Sequence, residues 1–448
     1  MTQPGPTQPG FSRTQLRRAV LSSFLGSVIE YYDFLLYATA SAVVFNAIFF
    51  SNLDPLVGTV AAFGTLATGY IARPLGGIVF GHFGDRIGRK KMLILSMTLM
   101  GVGSTLIGLL PTYAQIGVWA PILLVLLRVV QGIAVGGEWG GAVLMSAEHA
   151  SSRRGLWASF TNAGAPSGVV LSTLVLALSA TLTGEQQFLV WGWRIPFLLS
   201  IVLLAVGLFV RSRVAETPVF TEAASATPAR PPLVEVLRRH PRALALSIGV
   251  GFGAFIAQGT ITVFVISYAV RAGFPRSTVL NALTLSSVVA VVGIIGFSAL
   301  SDRLGRRPVV LAGAAAMAVW SFLLFPLIDS RSTLLLGIAL IVGQGIVHAC
   351  FYGPLAALYT ELFSTRTRYT GASLGYQIAG IGAGLSPVLF ASVLAAGAGT
   401  LTVSVIMAAT CVLSIACVLA LRETASTDLT SGDGATGTAA GALRSATS

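Results

Sequence analysis

Apolar residues run in blocks of twenty or more along most of this 448-residue chain, and the polar residues between them are gathered into short clusters. As a helix, such a block crosses roughly 30 Å of hydrocarbon. No block alternates polar and apolar positions with period two, so helices rather than barrel strands are expected. In lipid their backbone polar groups must be bonded within the segment. The pattern predicts twelve helices, at about 20–48, 56–81, 92–110, 121–147, 156–182, 193–210, 243–270, 278–300, 308–328, 333–360, 369–396 and 399–421. The longest interruption, 211–242, holds five prolines and six arginines and reads as a linker. The expected plan is a disordered arm (1–18), a six-helix bundle (19–210), the linker (211–242), a second bundle (243–422) and a Ser/Thr/Gly/Ala-rich disordered tail (423–448). The first apolar run is too long for the apolar region of a signal peptide and contains acids.

Composition agrees with an all-α membrane protein. The chain is 54% hydrophobic and 10% charged, against about 25% charge in soluble domains. The net charge of +12 would suggest nucleic acid, but its distribution does not. Of the 28 Lys and Arg, 22 fall in the arm, the even-numbered interruptions and the tail. By the positive-inside rule both termini and the linker are cytoplasmic, and the protein is a multi-pass protein of the cytoplasmic membrane. Cys350, Cys411 and Cys417 lie inside apolar runs without metal-type spacing and read as small hydrophobic side chains. There is no phosphate-binding GxxxxGK[ST] loop and no HExxH motif. The expectation is a protein that is not an enzyme, carries no cofactor or metal and is driven by an ion gradient.

The polar clusters repeat at half-length. Gly81-His82-Phe83-Gly84-Asp85-Arg86-Ile87-Gly88-Arg89-Lys90-Lys91 returns in reduced form as Ser301-Asp302-Arg303-Leu304-Gly305-Arg306-Arg307. Glu148 is followed five residues on by Arg153, and 213 positions later Glu361 is followed by Arg366. Gln131-Gly132 and Gln344-Gly345 share that offset. Two six-helix halves in the same orientation, related by an axis along the membrane normal, are a transporter architecture.

The Gly81–Lys91 segment resembles the loop motif of the major facilitator superfamily. Three further blocks resemble its metabolite:proton symporter branch: Gly26–Phe34, Arg128-Val129-Val130-Gln131-Gly132 running into Gly136–Gly141, and Gly192–Phe197. The run Glu185–Arg194 looks most like the shikimate carriers. The resemblance covers about residues 20–422. It implies alternating access and proton-coupled uptake of a small organic acid such as shikimate or a di- or tricarboxylate, by a protein working as a monomer. The alternatives are a carrier of zwitterions such as proline or glycine betaine, an efflux antiporter, and a sensor or scaffold without transport. The proline/betaine osmoregulators typically carry a charged coiled-coil tail, and this tail has no heptads.

Charges inside apolar blocks mark the candidate site. Glu30, Asp33 and Tyr37 share one face of the first helix. A carboxylate in lipid costs about 2.5–3.5 kcal/mol on insertion scales, so Asp33 and Glu30 are the proton-coupling candidates, against a permanent ion pair. Arg128, Gln131 and Glu138 share a sector of the fourth helix. Arg128 is expected to pair with Asp33 when empty and with substrate when loaded. Arg73, before Pro74, is the candidate holder of an anion. Gly132, Gly136 and Gly140, at every fourth position, read as close helix packing. The segment with Gly81, Asp85, Arg86, Gly88 and Arg89, and its copy with Asp302, Arg303 and Arg306, is expected to form a cytoplasmic latch. There an aspartate would bond arginines and the N-terminal end of a facing helix. Glu148, Arg194, His348 and Glu361 are secondary candidates; Arg194 also fits an interfacial anchor and His348 a bonded core residue. Gln258, Tyr268, Gln344, Tyr376 and Gln377 are possible neutral contacts.

Overall fold

The computed structural model of the protein describes residues 13–87, 89–148, 152–212, 232–363 and 367–425, all of them helix or short connection. The long helices are α1 (Arg13–Val43), α2 (Pro55–Ile87), α3 (Arg89–Leu109), α4 in two pieces (Trp119–Gly136 and Glu138–Glu148), α5 (Arg154–Thr183) and α6 (Arg194–Ser212). They continue with α7 (Pro241–Arg271), α8 (Arg276–Leu304), α9 (Arg306–Asp329), α10 (Thr333–Glu361), α11 (Arg368–Ala395) and α12 (Thr400–Ala420). Among the described residues, α2 to α12 are each long and apolar enough to cross a membrane. With 31 residues, or about 46 Å, α1 takes the twelfth place. An even number of crossings puts Arg13 and Ala425 on one side, here the terminal face.

The two halves pack alike. In the first, α1 lies on α5, α2 on α4 and α3 on α6. In the second, α7 lies on α11, α8 on α10 and α9 on α12, the same pairing six helices later. The halves meet along two seams, α2 against α11 and α5 against α8.

Several expectations change. The segment around Asp85 is not an open loop: α2 runs on to Ile87 and α3 starts at Arg89. In its copy only Gly305 interrupts the helices, at a φ of 97° that suits glycine. The fourth helix is broken at Gly137 rather than continuous. The 211–242 interval contains a helix, Pro232–Arg239, with Glu235 and Arg239 one turn apart. Arg13 already lies in α1, and Glu423–Ala425 are held in place, as described below. The rest of the arm, 213–231, and the tail from 426 lie outside the described residues.

Wide i→i+5 turns that no sequence pattern announced occur at Phe188–Gly192 just before α6, at Thr260–Phe264 in α7 and at Ile341–His348 in α10. Such turns shift the helix register and are frequent at functional sites. In α10 the shifted stretch holds the buried Gln344 and His348.

Candidate functional site: a pair of buried arginines between two closed halves

Glycine sets how close the first half's helices come. A Cβ at Gly132 would collide with the carbonyl of Gly69, and one at Gly136 with the carbonyl of Arg73. The backbones of α4 and α2 therefore touch, and this brings Arg128 and Arg73 to one place. Their guanidinium groups both lie against the ring of Phe34 on α1, at 3.6 Å and 4.0 Å from its centroid. Tyr37 flanks Arg128 at 4.2 Å and Tyr70 flanks Arg73 at 4.6 Å. Tyr70 also meets Phe34 edge-to-face at 4.7 Å. Ring faces attract cations, but they do not neutralise them.

Both arginines are almost fully buried. Among the described residues neither has a carboxylate within ion-pairing distance, and Nε and Nη2 of each have no hydrogen-bond partner. Arg128 donates from Nη1 to Gln131 Oε1 at 3.2 Å. Gln131 in turn donates to Ser104 Oγ at 2.8 Å and to the Met100 carbonyl at 3.3 Å. Gln131 is thus a brace that positions Arg128 against α3, and its amide is already occupied. Tyr37 donates its hydroxyl to Thr65 Oγ1 at 2.6 Å and offers the site only its ring.

The carboxylates are elsewhere. Asp33 does not pair with Arg128: its Oδ1 accepts from the Ser200 hydroxyl of α6, and its buried Oδ2 has no partner. Glu138 is not a free ligand either. It forms an ion pair with Arg211 at the terminal end of α6, packed against Gly26 of α1. The expected substrate contact is thus a bridge between α4 and α6, because Arg211 reaches back from the helix end into the bundle. Glu30 is buried and forms no ion pair among the described residues, within the electrostatic reach of Glu138, Arg73 and Arg211.

The second half closes over this site with aromatic and polar groups. Tyr31 on α1 and Tyr352 on α10 both bond the Tyr376 hydroxyl of α11, at 2.7 Å and 2.6 Å. Trp139 stacks on the Tyr376 ring, 3.5 Å between centroids and 9° from parallel. The Trp139 indole donates to Asn162 Oδ1 at 3.3 Å, and Asn162 donates to the Tyr352 carbonyl at 3.2 Å. At the break α11 reaches two carbonyls: Gln377 donates to Gly136 at 3.1 Å and Tyr369 to Gly137 at 2.7 Å. A Cβ on Gly140 would strike Ser373 Oγ of α11. Tyr31, Asn162 and Tyr369 escaped the sequence reading. They sit in or beside apolar runs, and the partners that link them across the seam are 190 or more positions away.

His348 donates from Nε2 to the Ala254 carbonyl at 3.1 Å and stacks on Tyr352. With Gln258 and Gln344 it borders a cleft of about 10 Å³, too small for more than one water. Gln344 itself is engaged by Ser286 and Ser287. Tyr268 is remote, bonded to Asp329. Arg194 donates to the carbonyls of Gly108 and Leu110 at 2.8 and 2.6 Å and lies over Trp193, so it caps α3 as an anchor.

On the terminal face, Asp302 accepts from the backbone N–H groups of Gly155 and Leu156 at 2.8 and 2.9 Å. These are the first donors of α5, in the other half. Asp302 also pairs with Arg306 at 2.8 Å, and Arg306 grips both oxygens of the buried Glu361. Glu361 accepts from Thr424, and Glu423 accepts from the N–H groups of Arg306 and Arg307 at 2.8 and 3.0 Å. Arg303 is exposed and in no ion pair among the described residues. Gly81 lies within α2, whereas Gly88 and the side chains of Asp85, Arg86, Arg89 and Glu148 lie outside the described residues.

Comparison with known proteins places this geometry. The family model "Major Facilitator Superfamily" matches residues 23–300 and 276–446. The shikimate transporter of Escherichia coli (strain K12) is 39% identical over 425 residues, covering 93% of this chain and 97% of that one. The proline/betaine transporter of Salmonella typhimurium is 33% identical over 391 residues, 84% of this chain and 77% of that one. A crystal structure of a D-xylose-proton symporter superposes with a TM-score of 0.70 at 20% identity, covering 92% of this chain and 99% of that one, and shares the twelve-helix fold. The relatives are multi-pass membrane transporters and not enzymes, and the chain belongs to the major facilitator superfamily, among its metabolite transporters.

Proposed function

We propose that this protein takes up a small organic acid anion of the shikimate class together with a proton, by alternating access of its two halves. The observation that carries the reading is the pair of unpaired guanidinium groups astride Phe34. A buried cation without a partner is costly, and two that share a ring are costlier still. A carboxylate entering between them would supply the missing charge and accept from the free Nε and Nη2 donors, in the fork geometry that arginine suits. The shikimate transporter's similarity along the whole chain supports the substrate class. Asp33, with one oxygen unpartnered a single position from Phe34, is the proton carrier, and Glu30 is its second. Taking the basic terminal face as cytoplasmic, the present form is closed on that side.

A zwitterion carrier finds less support. The aromatic cluster between the halves, around Trp139 and Tyr376, has its ring faces stacked on each other, where a quaternary ammonium would need them open.

Uptake of labelled shikimate into proteoliposomes with an imposed pH gradient tests the reading. Arg73→Gln and Arg128→Gln are expected to raise KM by roughly 30-fold or more, the loss of about 2 kcal/mol of charge-assisted bonding. Asp33→Asn should retain exchange of internal for external substrate and lose gradient-driven accumulation. Undiminished shikimate binding by Arg128→Gln would remove the arginine site. Uptake indifferent to a protonophore would remove the coupling.

A further inference from the structure

The terminal face carries a second feature that the transport site does not use. A groove of about 640 Å³ opens between the start of α5 and the end of α8. Its floor is apolar: Gly296, Ala299 and Leu300 lie on the outer face of α8, and a Cβ at Gly296 would meet nothing within 4 Å. Its rim is cationic, with Arg153 and Arg154 from the first half and Arg303 from the second. The one acid in the lining, Asp302, already has both oxygens engaged by α5, and it also holds Arg306. Arg153 and Arg303 are exposed and have no carboxylate partner among the described residues. Arg153 also takes the left-handed backbone conformation, φ 53° and ψ 48°, as the residue preceding α5. That conformation is uncommon for a non-glycine residue, and it is found here at the rim of the groove.

The floor lies within a membrane-spanning helix and the rim at its end. From Gly296 to Arg303 the helix rises about 10 Å, which sets an apolar track below a cluster of guanidinium groups. That is the shape and polarity of a phospholipid: chain below, phosphate above. Basic recesses between helices at the membrane surface bind anionic headgroups. We propose that this groove holds the phosphate of an anionic phospholipid, and that the lipid, touching both α5 and α8, favours the form closed on the terminal face.

The test uses the full-length protein in nanodiscs of phosphatidylcholine, with or without about one-fifth phosphatidylglycerol. The anionic lipid should raise the wild-type unfolding midpoint by roughly 2–4 °C. Arg153→Gln/Arg303→Gln should abolish that response. Ala299→Trp fills the floor and keeps both arginines, so it tests the groove even if the double variant does not fold; it too should lose the response. A response that survives in both variants overturns the site. An equal rise on adding inorganic phosphate to phosphatidylcholine discs assigns the groove to a soluble anion and overturns the lipid. Thiol labelling at Ser373→Cys, on the seam with α4, should slow in the anionic discs. An unchanged rate overturns the claim that the lipid favours closure.

Discussion

Asp302 offers the most direct reading of how the halves are held together. Its carboxylate accepts two backbone N–H groups of α5, from the opposite half, at 2.8 and 2.9 Å. Hydrogen bonds to a charged group contribute about 1.5–3 kcal/mol and neutral ones about 1. A negative charge at a helix N-terminus adds about 0.3–1 kcal/mol. Asp302→Asn leaves one neutral acceptor in place of two charged ones, so the closed form should lose about 2 kcal/mol relative to the open one. That is a shift of roughly 30-fold in their ratio. The fold should survive, because Arg306 keeps its two bonds to Glu361. The assay is the thiol-labelling rate of Ser373→Cys with Cys350, Cys411 and Cys417 replaced. Ser373 is buried at the seam beside Gly140, so its rate follows the open fraction. Asp302→Asn should speed labelling by about 10- to 30-fold in protein that remains folded. A rate within about twofold of the parent, with the fold intact, would show that these bonds do not govern opening.

Three other outcomes separate packing from chemistry. Glu138→Gln and Arg211→Gln should each lower the unfolding midpoint, since breaking a buried pair costs about 3–5 kcal/mol. The double variant should fall short of their sum, and strict additivity would refute the bridge. Gly136→Val should prevent folding, because its side chain meets the Arg73 carbonyl, whereas Gly141→Ala, with nothing nearer than 3.6 Å, should be neutral; equal expression and stability of the two would sink the packing argument. At Glu423 partial burial pushes the carboxyl up, but the N–H groups of Arg306, Arg307, Ala425 and Thr424 outweigh it and hold it below the ordinary value. With the folded value lowered, its stabilisation is present above about pH 4.3 and is lost as pH falls through the folded value. Glu423→Gln should therefore be less stable than wild type at neutral pH, by about 0.5–2 kcal/mol as for a lost helix cap, and the gap should close in acid. A gap that is constant with pH would refute this.

What the sequence exposed and what it hid divide along one physical line. A charge inside an apolar block is costly wherever it points, so Glu30, Asp33, Arg73, Arg128 and Glu138 could be singled out without knowing a single contact. The duplication was equally visible, since charged clusters at half-length survive in Asp302 and Glu361. Partners were another matter. Arg211 was counted with the linker because it ends an apolar run, yet it turns inward to Glu138. Asp33 finds a serine 167 positions away instead of the arginine on the neighbouring helix. Phe34 carries no signal in an apolar run, although it is the ring both arginines share. The glycines of α4 show the same limit. Their spacing correctly indicated close packing, but the break at Gly137 turns Gly132 and Gly136 to α2 and Gly140 to α11. One helix thereby serves two jobs, fixing the arginine pair within its own half and presenting the Gly136 and Gly137 carbonyls to the other. Opening of the terminal face must strip Tyr369 and Gln377 from those carbonyls while leaving the α2–α4 contact intact. The arginine pair should therefore travel as a rigid unit, and on the proposed function an anion held there should be released by the departure of α11 rather than by any rearrangement of the two guanidinium groups.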